Sequence, residues 1–329
     1  MGESVAVPVT VLGGYLGAGK TTLLNRVLRG SGRRIAVLVN DFGEIGIDAD
    51  LVESRDGDTI NLVNGCICCS IAGGFHEAMV GLRDRADPPE WVIVEASGVS
   101  DPGAVAQYAH LDGFRLDAVV VVADAEQVRA RAADRYVGRQ VREQLAAADL
   151  LVLNKVDLVD DATRAEVRDW LAAVGAAGVA VVEAEHADVP LDLLLPGLEA
   201  GRGRGAHVVA GHAHALDCYT TWSVDVDAAV DATVFGAFVD ALPAAVLRAK
   251  GIVTFAGDPG ARHELHVVGQ RRSLRRHEVD VATSPSTRLV LIARASSDDA
   301  GAADTAAVEP ALAELRRHLT CHAENGAMP

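Results

Sequence analysis

The strongest chemical signal in the chain is Gly14-Tyr15-Leu16-Gly17-Ala18-Gly19-Lys20-Thr21. It fits G-x-x-x-x-G-K-[ST], and that spacing has a mechanism. Gly14, Gly17 and Gly19 let backbone N–H groups turn toward one point. A helix opening directly behind them adds its N-terminal donors, so phosphates are held there. Lys20 reaches the β- and γ-phosphates, and the Thr21 hydroxyl is a ligand for Mg²⁺. A second constellation is Asn154-Lys155-Val156-Asp157. An Asp at a strand's C-terminal end can accept from N1–H and the 2-amino group of guanine, whereas adenine offers no matching donors. An Asn contacting the base and a Lys stem lying along it complete such a pocket.

Glu95-Ala96-Ser97-Gly98 supplies a third. A carboxylate there can reach Mg²⁺ through water or place an attacking water, and Gly98 lets the backbone approach a γ-phosphate. The sequence leaves the choice between those roles for Glu95 open. The fourth is Gly65-Cys66-Ile67-Cys68-Cys69. Thiolates suit soft or borderline ions such as Zn²⁺ or Co²⁺. Three thiols this close do not complete a tetrahedral site, so a fourth ligand comes from elsewhere or from solvent. An open position suits a carrier that must release its ion. Buried or redox-active thiols are the competing reading.

These residues must be positioned by strands and helices in alternation. Val5–Leu12, Arg34–Val39, Asp58–Leu62, Trp91–Val94, Ala118–Ala123, Leu150–Leu153 and Val179–Val182 read as short strands. Continuous apolar runs of this kind mark parallel strands buried on both faces. Lys20–Arg29, Arg129–Ala148 and Ala162–Val174 read as helices. The expected fold is α/β, a P-loop domain with a mostly parallel sheet and helices on both faces. Gly197–Gly211 breaks that rhythm and reads as a linker. Beyond it Leu216–Val226, Gly251–Phe255, Glu264–Val268, Ser273–Val281 and Arg288–Ala295 read as strands, with helices at Ala232–Leu242 and Pro310–Leu319. A smaller, largely antiparallel α+β domain is expected there. The expected division is 1–200, a linker 201–215, a second domain 216–322 and a tail 323–329.

Composition limits the partners. The 329 residues carry a net charge of −16, which argues against a duplex nucleic-acid scaffold. No apolar stretch is long enough for a membrane span and no signal peptide is recognisable, so a cytoplasmic location is expected. Five cysteines, three of them clustered, suit reduced thiols or a metal better than a disulfide framework.

The P-loop, Asn40-Asp41-Phe42-Gly43-Glu44, G-C-I-C-C, E-A-S-G and N-K-V-D, in that order, resemble the CobW-like metallochaperone GTPases, a family that includes nitrile-hydratase activators and zinc-regulated GTPases. Leu242–Gly251 resembles the signature of that family's C-terminal domain, so the likeness covers nearly the whole chain. It implies a GTPase, with GTP and Mg²⁺ as its nucleotide system, that binds a transition metal and hands it to a client metalloenzyme. Gly14, Gly19, Lys20, Thr21 and Thr22 would hold phosphates and Mg²⁺, and Lys20 and Glu95 would serve hydrolysis. Cys66, Cys68 and Cys69 would take the metal, with Glu44 as an extra ligand. Asn154, Lys155 and Asp157 would read guanine. The likeness leaves monomer and homodimer both open.

Two features depart from the family pattern. Asp41 stands where Glu is usual, which shortens the reach by one methylene. The histidine-rich linker is reduced to His207, His212 and His214, where weak chelation by His212 and His214 competes with a plain solvated linker. Cys218 reads as a buried small side chain and Asp124 as a helix cap, while Cys321-His322 reads as tail with a metal pair as the alternative. Arg271, Arg272, Arg275 and Arg276 read as a solvated strand face, with a client-docking patch as the alternative. Another class of function stays open: a GTP-dependent assembly chaperone that moves an organic cofactor or remodels a client, with the Cys motif structural or redox. A P-loop metabolic kinase is disfavoured, because few kinases need guanine selection.

Overall fold

The computed structural model describes residues 6–39, 59–61, 72–195, 219–243, 245–269, 271–278, 285–294 and 308–325. The chain forms two compact units, Met1–Leu194 and Leu195–Pro329. In the first, β1 (Val7–Gly13), β2 (Ile35–Val39), β3 (Thr59–Asn61), β4 (Trp91–Glu95), β5 (Phe114–Asp124), β6 (Leu150–Asn154) and β7 (Ala180–Ala184) form one sheet. Its order is β3-β2-β4-β1-β5-β6-β7, with every neighbouring pair parallel. The helices are α1 (Lys20–Gly30), α2 (Ala72–Arg83), α3 (Pro102–Gln107), α4 (Val128–Ala133), α5 (Gly138–Ala146), α6 (Asp161–Val174) and α7 (Leu191–Leu194). β2, β4 and β6 are buried along their whole length, which is why they read as unbroken apolar runs. Val9, Val11, Val94, Val121 and Leu153 of the sheet pack with Phe75, Met79, Val141, Leu145 and Leu171 of the helices. Each such side chain contributes about 1.5–3 kcal/mol on burial.

Strand order decides where chemistry can occur. From β1 the chain builds outward to β2 and β3 on one side and to β5, β6 and β7 on the other, with β4 inserted beside β1. Ligands in such sheets bind at the carboxyl ends of the strands near this reversal. There the register sets Leu12 beside Glu95 and Asp124 beside Asn154.

The second unit is an antiparallel sheet ordered β11-β10-β9-β12-β8. Its strands are β8 (Tyr219–Val226), β9 (Val246–Phe255), β10 (Asp258–Val268), β11 (Arg271–Glu278) and β12 (Thr287–Arg294). Trp222, Val224, Leu265, Val267, Leu289 and Leu291 point to one face and pack with Phe235 and Phe238 of α8 (Ala232–Asp240) and Leu312 and Leu315 of α9 (Val308–Asn325). Asp231 caps α8 by accepting from the Thr233 and Val234 N–H groups.

Several elements differ from the sequence reading. Arg129–Ala148 is two helices, because Asp134 accepts from the N–H groups of Tyr136 and Val137 and closes a turn between them. Those bonds hold its carboxyl below the usual carboxylate range. The strand read at Gly251–Phe255 starts at Val246, so most of the Leu242–Gly251 signature lies in β9. Helices α2, α3 and α7 are additional. Cys321-His322 lies in α9, which runs to Asn325, and is not tail. The linker falls outside the described residues. Among the described residues no helix is long and apolar enough to cross a membrane.

Candidate functional site: the carboxyl ends of the central strands

Gly14, Gly17 and Gly19 all take positive φ, at 133°, 78° and 107°. They form the turn from β1 into α1, and Lys20 opens that helix. Gly19 has no room for a side chain: a Cβ there would lie 2.4 Å from Asn154 Nδ2. Lys20 is buried to 8% exposure, Thr21 is half-buried and Thr22 is exposed. A charge so placed at a helix N-terminus is the arrangement that cradles an anion.

Glu95 ends β4 and is 3% exposed. Its Oε1 accepts from the Thr21 hydroxyl at 3.0 Å. The register of β1 with β4 creates this pairing, since Ala96 N–H donates to Leu12 O and fixes the strand end beside the P-loop. Two hard oxygens, one from the P-loop and one from a buried carboxylate, are thereby adjacent. That donor set fits Mg²⁺, which prefers oxygen ligands.

Asn154 ends β6, 2% exposed. Its Nδ2 donates to Ala18 O at 2.9 Å, and its Oδ1 accepts from Ala187 N–H at 2.7 Å. The side chain therefore braces the P-loop against the loop after β7, a job the sequence did not indicate. Lys155 follows in the left-handed region (φ 63°), and its Nζ donates to Asp124 Oδ2 at 2.7 Å. Asp124, read as a helix cap, instead closes the turn before α4 by accepting from Glu126 and Gln127 N–H, and α4 starts behind Gln127 with no side-chain cap bond. Asp157 lies in the short 3₁₀ turn Val156–Leu158, partly exposed, with His186 Nε2 at 4.0 Å from its carboxylate.

The loop that carries His186 and Ala187 was not singled out from the sequence. Both residues have positive φ, 51° and 58°, and Arg26 of α1 anchors it through His186 O and Asp188. The signal available was its position, at the carboxyl end of a parallel strand on the ligand-binding edge. Asn40, Asp41, Glu44, Cys66, Cys68, Cys69, His207, His212, His214 and Cys218 lie outside the described residues. Among the described residues no cluster of three or more His, Cys, Asp or Glu could hold a metal.

The residues of the P-loop, Glu95, Asn154, Lys155 and Asp157 thus lie along one edge of one sheet. Residues 8–182 match the family model for the CobW/HypB/UreG nucleotide-binding domain. Residues 219–313 match the model for the cobalamin synthesis protein cobW C-terminal domain. The zinc chaperone CobW of a Sinorhizobium species is 32% identical over 309 residues, covering 80% of this chain and 86% of the relative. The zinc chaperone CobW of Pseudomonas aeruginosa is 34% identical over 334 residues, covering 87% of each. The crystal structure of Zn(II)-bound YjiA GTPase from E. coli is 22% identical, covers 94% of this chain and 99% of that one, and superposes with a TM-score of 0.45.

Proposed function

The chain belongs to the CobW/HypB/UreG family, with the CobW C-terminal domain as its second part, and from that premise we propose that it is a GTP-hydrolysing metallochaperone. It binds a transition metal as cargo and passes it to a client metalloenzyme. The observation that carries the reading is the Thr21–Glu95 hydrogen bond, which joins the P-loop to a buried acid at the end of β4.

Hydrolysis at this edge needs four tasks done. The P-loop amides and Lys20 bind the β- and γ-phosphates and stabilise the charge that moves onto the leaving oxygen. Thr21 and Glu95 would hold Mg²⁺, which supplies charge neutralisation at the β- and γ-phosphates when bound. Water attacks the γ-phosphorus, the bond to the β–γ bridging oxygen breaks, and GDP, inorganic phosphate and a proton leave. Asp157 accepts from the N1–H and 2-amino groups of guanine. Lys155 flanks the base from its ion pair with Asp124, and Asn154 keeps the P-loop and the His186–Ala187 loop in step.

For the cargo, Cys66, Cys68 and Cys69, with Glu44, are the proposed ligands, and Zn²⁺ is the first choice over Co²⁺. The names of the CobW relatives support zinc. Thiolates bind only after losing protons, so a nucleotide state that orders the motif also favours the deprotonated form. Metal affinity is expected to be higher with Mg²⁺ and a non-hydrolysable GTP analogue than with GDP. By linkage the metal raises analogue affinity by the same factor, about 5–150-fold. Competition against a chromogenic zinc chelator in both nucleotide states measures this. Replacing Cys68 and Cys69 with Ser should erase the difference while nucleotide still binds. Equal zinc affinity in the two states would turn the reading to an assembly chaperone with a structural or redox Cys motif.

A further inference from the structure

The loop that follows Glu95 is held from behind by α5. Gln144 of this helix is 1% exposed, yet it carries a polar amide. Its Nε2 donates to Gly98 O at 3.1 Å and to Ser100 O at 2.8 Å. Gln140, one helical turn earlier, donates its side-chain amide to Val99 O. The four-residue spacing puts both glutamines on one helix face, so three successive carbonyls are drawn to the same side. In a trans peptide the carbonyl and the following N–H point oppositely. The grip therefore sets the direction of the three peptide planes that follow Gly98, Val99 and Ser100. Ser100 N–H also closes a turn onto Ser97 O at 2.9 Å.

The other side of the loop lies on the P-loop. A Cβ at Gly98 would fall 2.6 Å from Leu16 Cδ2 and 2.8 Å from the Leu16 backbone nitrogen. Displacement of the loop by even a methyl's width would break that approach. Helix α4, which precedes α5, touches the P-loop as well: the Arg131 guanidinium lies 5.7 Å from the Tyr15 ring centroid. Packing alone does not call for glutamine here, because a buried amide costs free energy unless its hydrogen bonds are made, and an apolar side chain of the same length fills the space without that cost. What the amide adds is direction, and both bonds from Gln144 direct the backbone beside Glu95.

We propose that Gln144, seconded by Gln140, is the positioning residue for the γ-phosphate side of the site. It holds Glu95–Ser100 against the P-loop, and so governs turnover and the preference for GTP over GDP, while touching no substrate itself. The proposal rests on the reading of Glu95 and Gly98 as the hydrolysis side.

The test uses the full chain with Mg²⁺. Gln144→Met keeps the length and removes the amide, and Gln140→Ala is a milder change at a half-buried position. Steady-state kinetics gives kcat and KM for GTP, and titration calorimetry gives Kd for GDP and for a non-hydrolysable GTP analogue. Gln144→Met is expected to lower kcat by roughly ten- to hundredfold, the scale of a misplaced reacting group. Gln140→Ala should lower it less. GDP affinity should stay within about twofold of wild type, while the analogue loses its advantage over GDP. Unchanged kcat and unchanged discrimination in a folded Gln144→Met protein would overturn the proposal. So would a parallel loss of GDP and analogue affinity, the signature of a merely structural role. If Gln144→Met does not fold, Gln140→Ala decides alone, and normal turnover there counts against the proposal. A wild-type chain that binds guanine nucleotides without hydrolysing GTP would remove the hydrolysis reading; the analogue-to-GDP ratio of the variants would still judge Gln144.

Discussion

Asn154 uses both ends of its side-chain amide on backbone, one on the P-loop and one on the loop after β7. Each buried bond is worth about 1 kcal/mol, and deleting the side chain also leaves a carbonyl and an N–H to find other partners. Asn154→Ala should therefore cost about 2–3 kcal/mol in urea unfolding and weaken GDP and GTP-analogue binding together. Asp157→Ala should act differently, removing the preference for guanine over adenine nucleotides while stability and phosphate contacts persist. Equal affinity of the wild type for ATP and GTP would refute the assignment of Asp157. In the second unit, burial against Phe255, at 4.3 Å between rings, pushes the His263 pKa down. Asp258 at 3.6 Å opposes that shift, while Arg276 and His277 reinforce it. The folded state then refuses a proton that the unfolded chain accepts below about pH 6.5, so stability falls as pH drops through that value. Asp258 stays ionised there, because the hydrogen bond from Arg276 holds its carboxyl below the usual range. His263→Phe should flatten the slope of stability against pH between about 7 and 5, read by thermal unfolding of the full chain.

Among the elements, β9 shows what a glycine in mid-strand does. Gly251, the last residue of the Leu242–Gly251 signature, faces β12 so closely that a Cβ would lie 2.3 Å from Arg288 O. It pairs across the sheet with both Leu289 and Leu265. Gly251→Ala should destabilise the second unit by about 1–3 kcal/mol, the usual cost of overpacking. A lowered thermal midpoint with GTP turnover retained would agree with this, and an unchanged midpoint would not. The Arg run on β11 divides by the alternation of the strand. Arg276 bonds Asp258, and Arg272 donates to Val239 O beside Asp240, on one face. Arg275 stands opposite Glu264 on the other. Arginines on an edge strand also discourage pairing with another sheet. The solvated strand face that the sequence suggested therefore includes specific pairing.

At the scale of the whole molecule, each unit has its own hydrophobic core, and every described residue of the proposed nucleotide site belongs to the first. We propose 1–200 as the GTPase domain, 201–215 as the linker and a C-terminal domain from 216 that ends at 325 and not at the expected 322, because α9 runs to Asn325. A fragment of residues 1–200 should fold and bind GDP within about threefold of the full chain, as an independent core allows. Calorimetric titration of that fragment measures it, and loss of binding would mean that the second unit completes the site. The acid excess of the chain is consistent with the proposed phosphate chemistry, because amides and one lysine would hold the anion locally whatever the net charge.

The sequence by itself determined which candidate groups the chain carries and the family it resembles. Gly14–Thr21, Glu95–Gly98 and Asn154–Asp157 are contiguous runs, so their candidate roles were legible locally, and the apolar runs before them are unbroken because both faces of a parallel sheet are covered. Tertiary structure decided how those runs meet. The contacts Thr21–Glu95, Asn154–Ala18 and Gln144–Gly98 span 74, 136 and 46 positions. They exist because β4 and β5 flank β1 and β6 follows β5 in the sheet. Gln144 could not be found from its surroundings in the chain, where Arg142-Glu143-Gln144 reads as an ordinary polar stretch of helix. It is buried on the face of α5 that meets the loop after β4, a face that only the packing of that helix on the sheet selects. Local spacing fixes which groups are present, and strand order fixes their neighbours, since hydrogen bonds between loops form only after the sheet has brought the strand ends together.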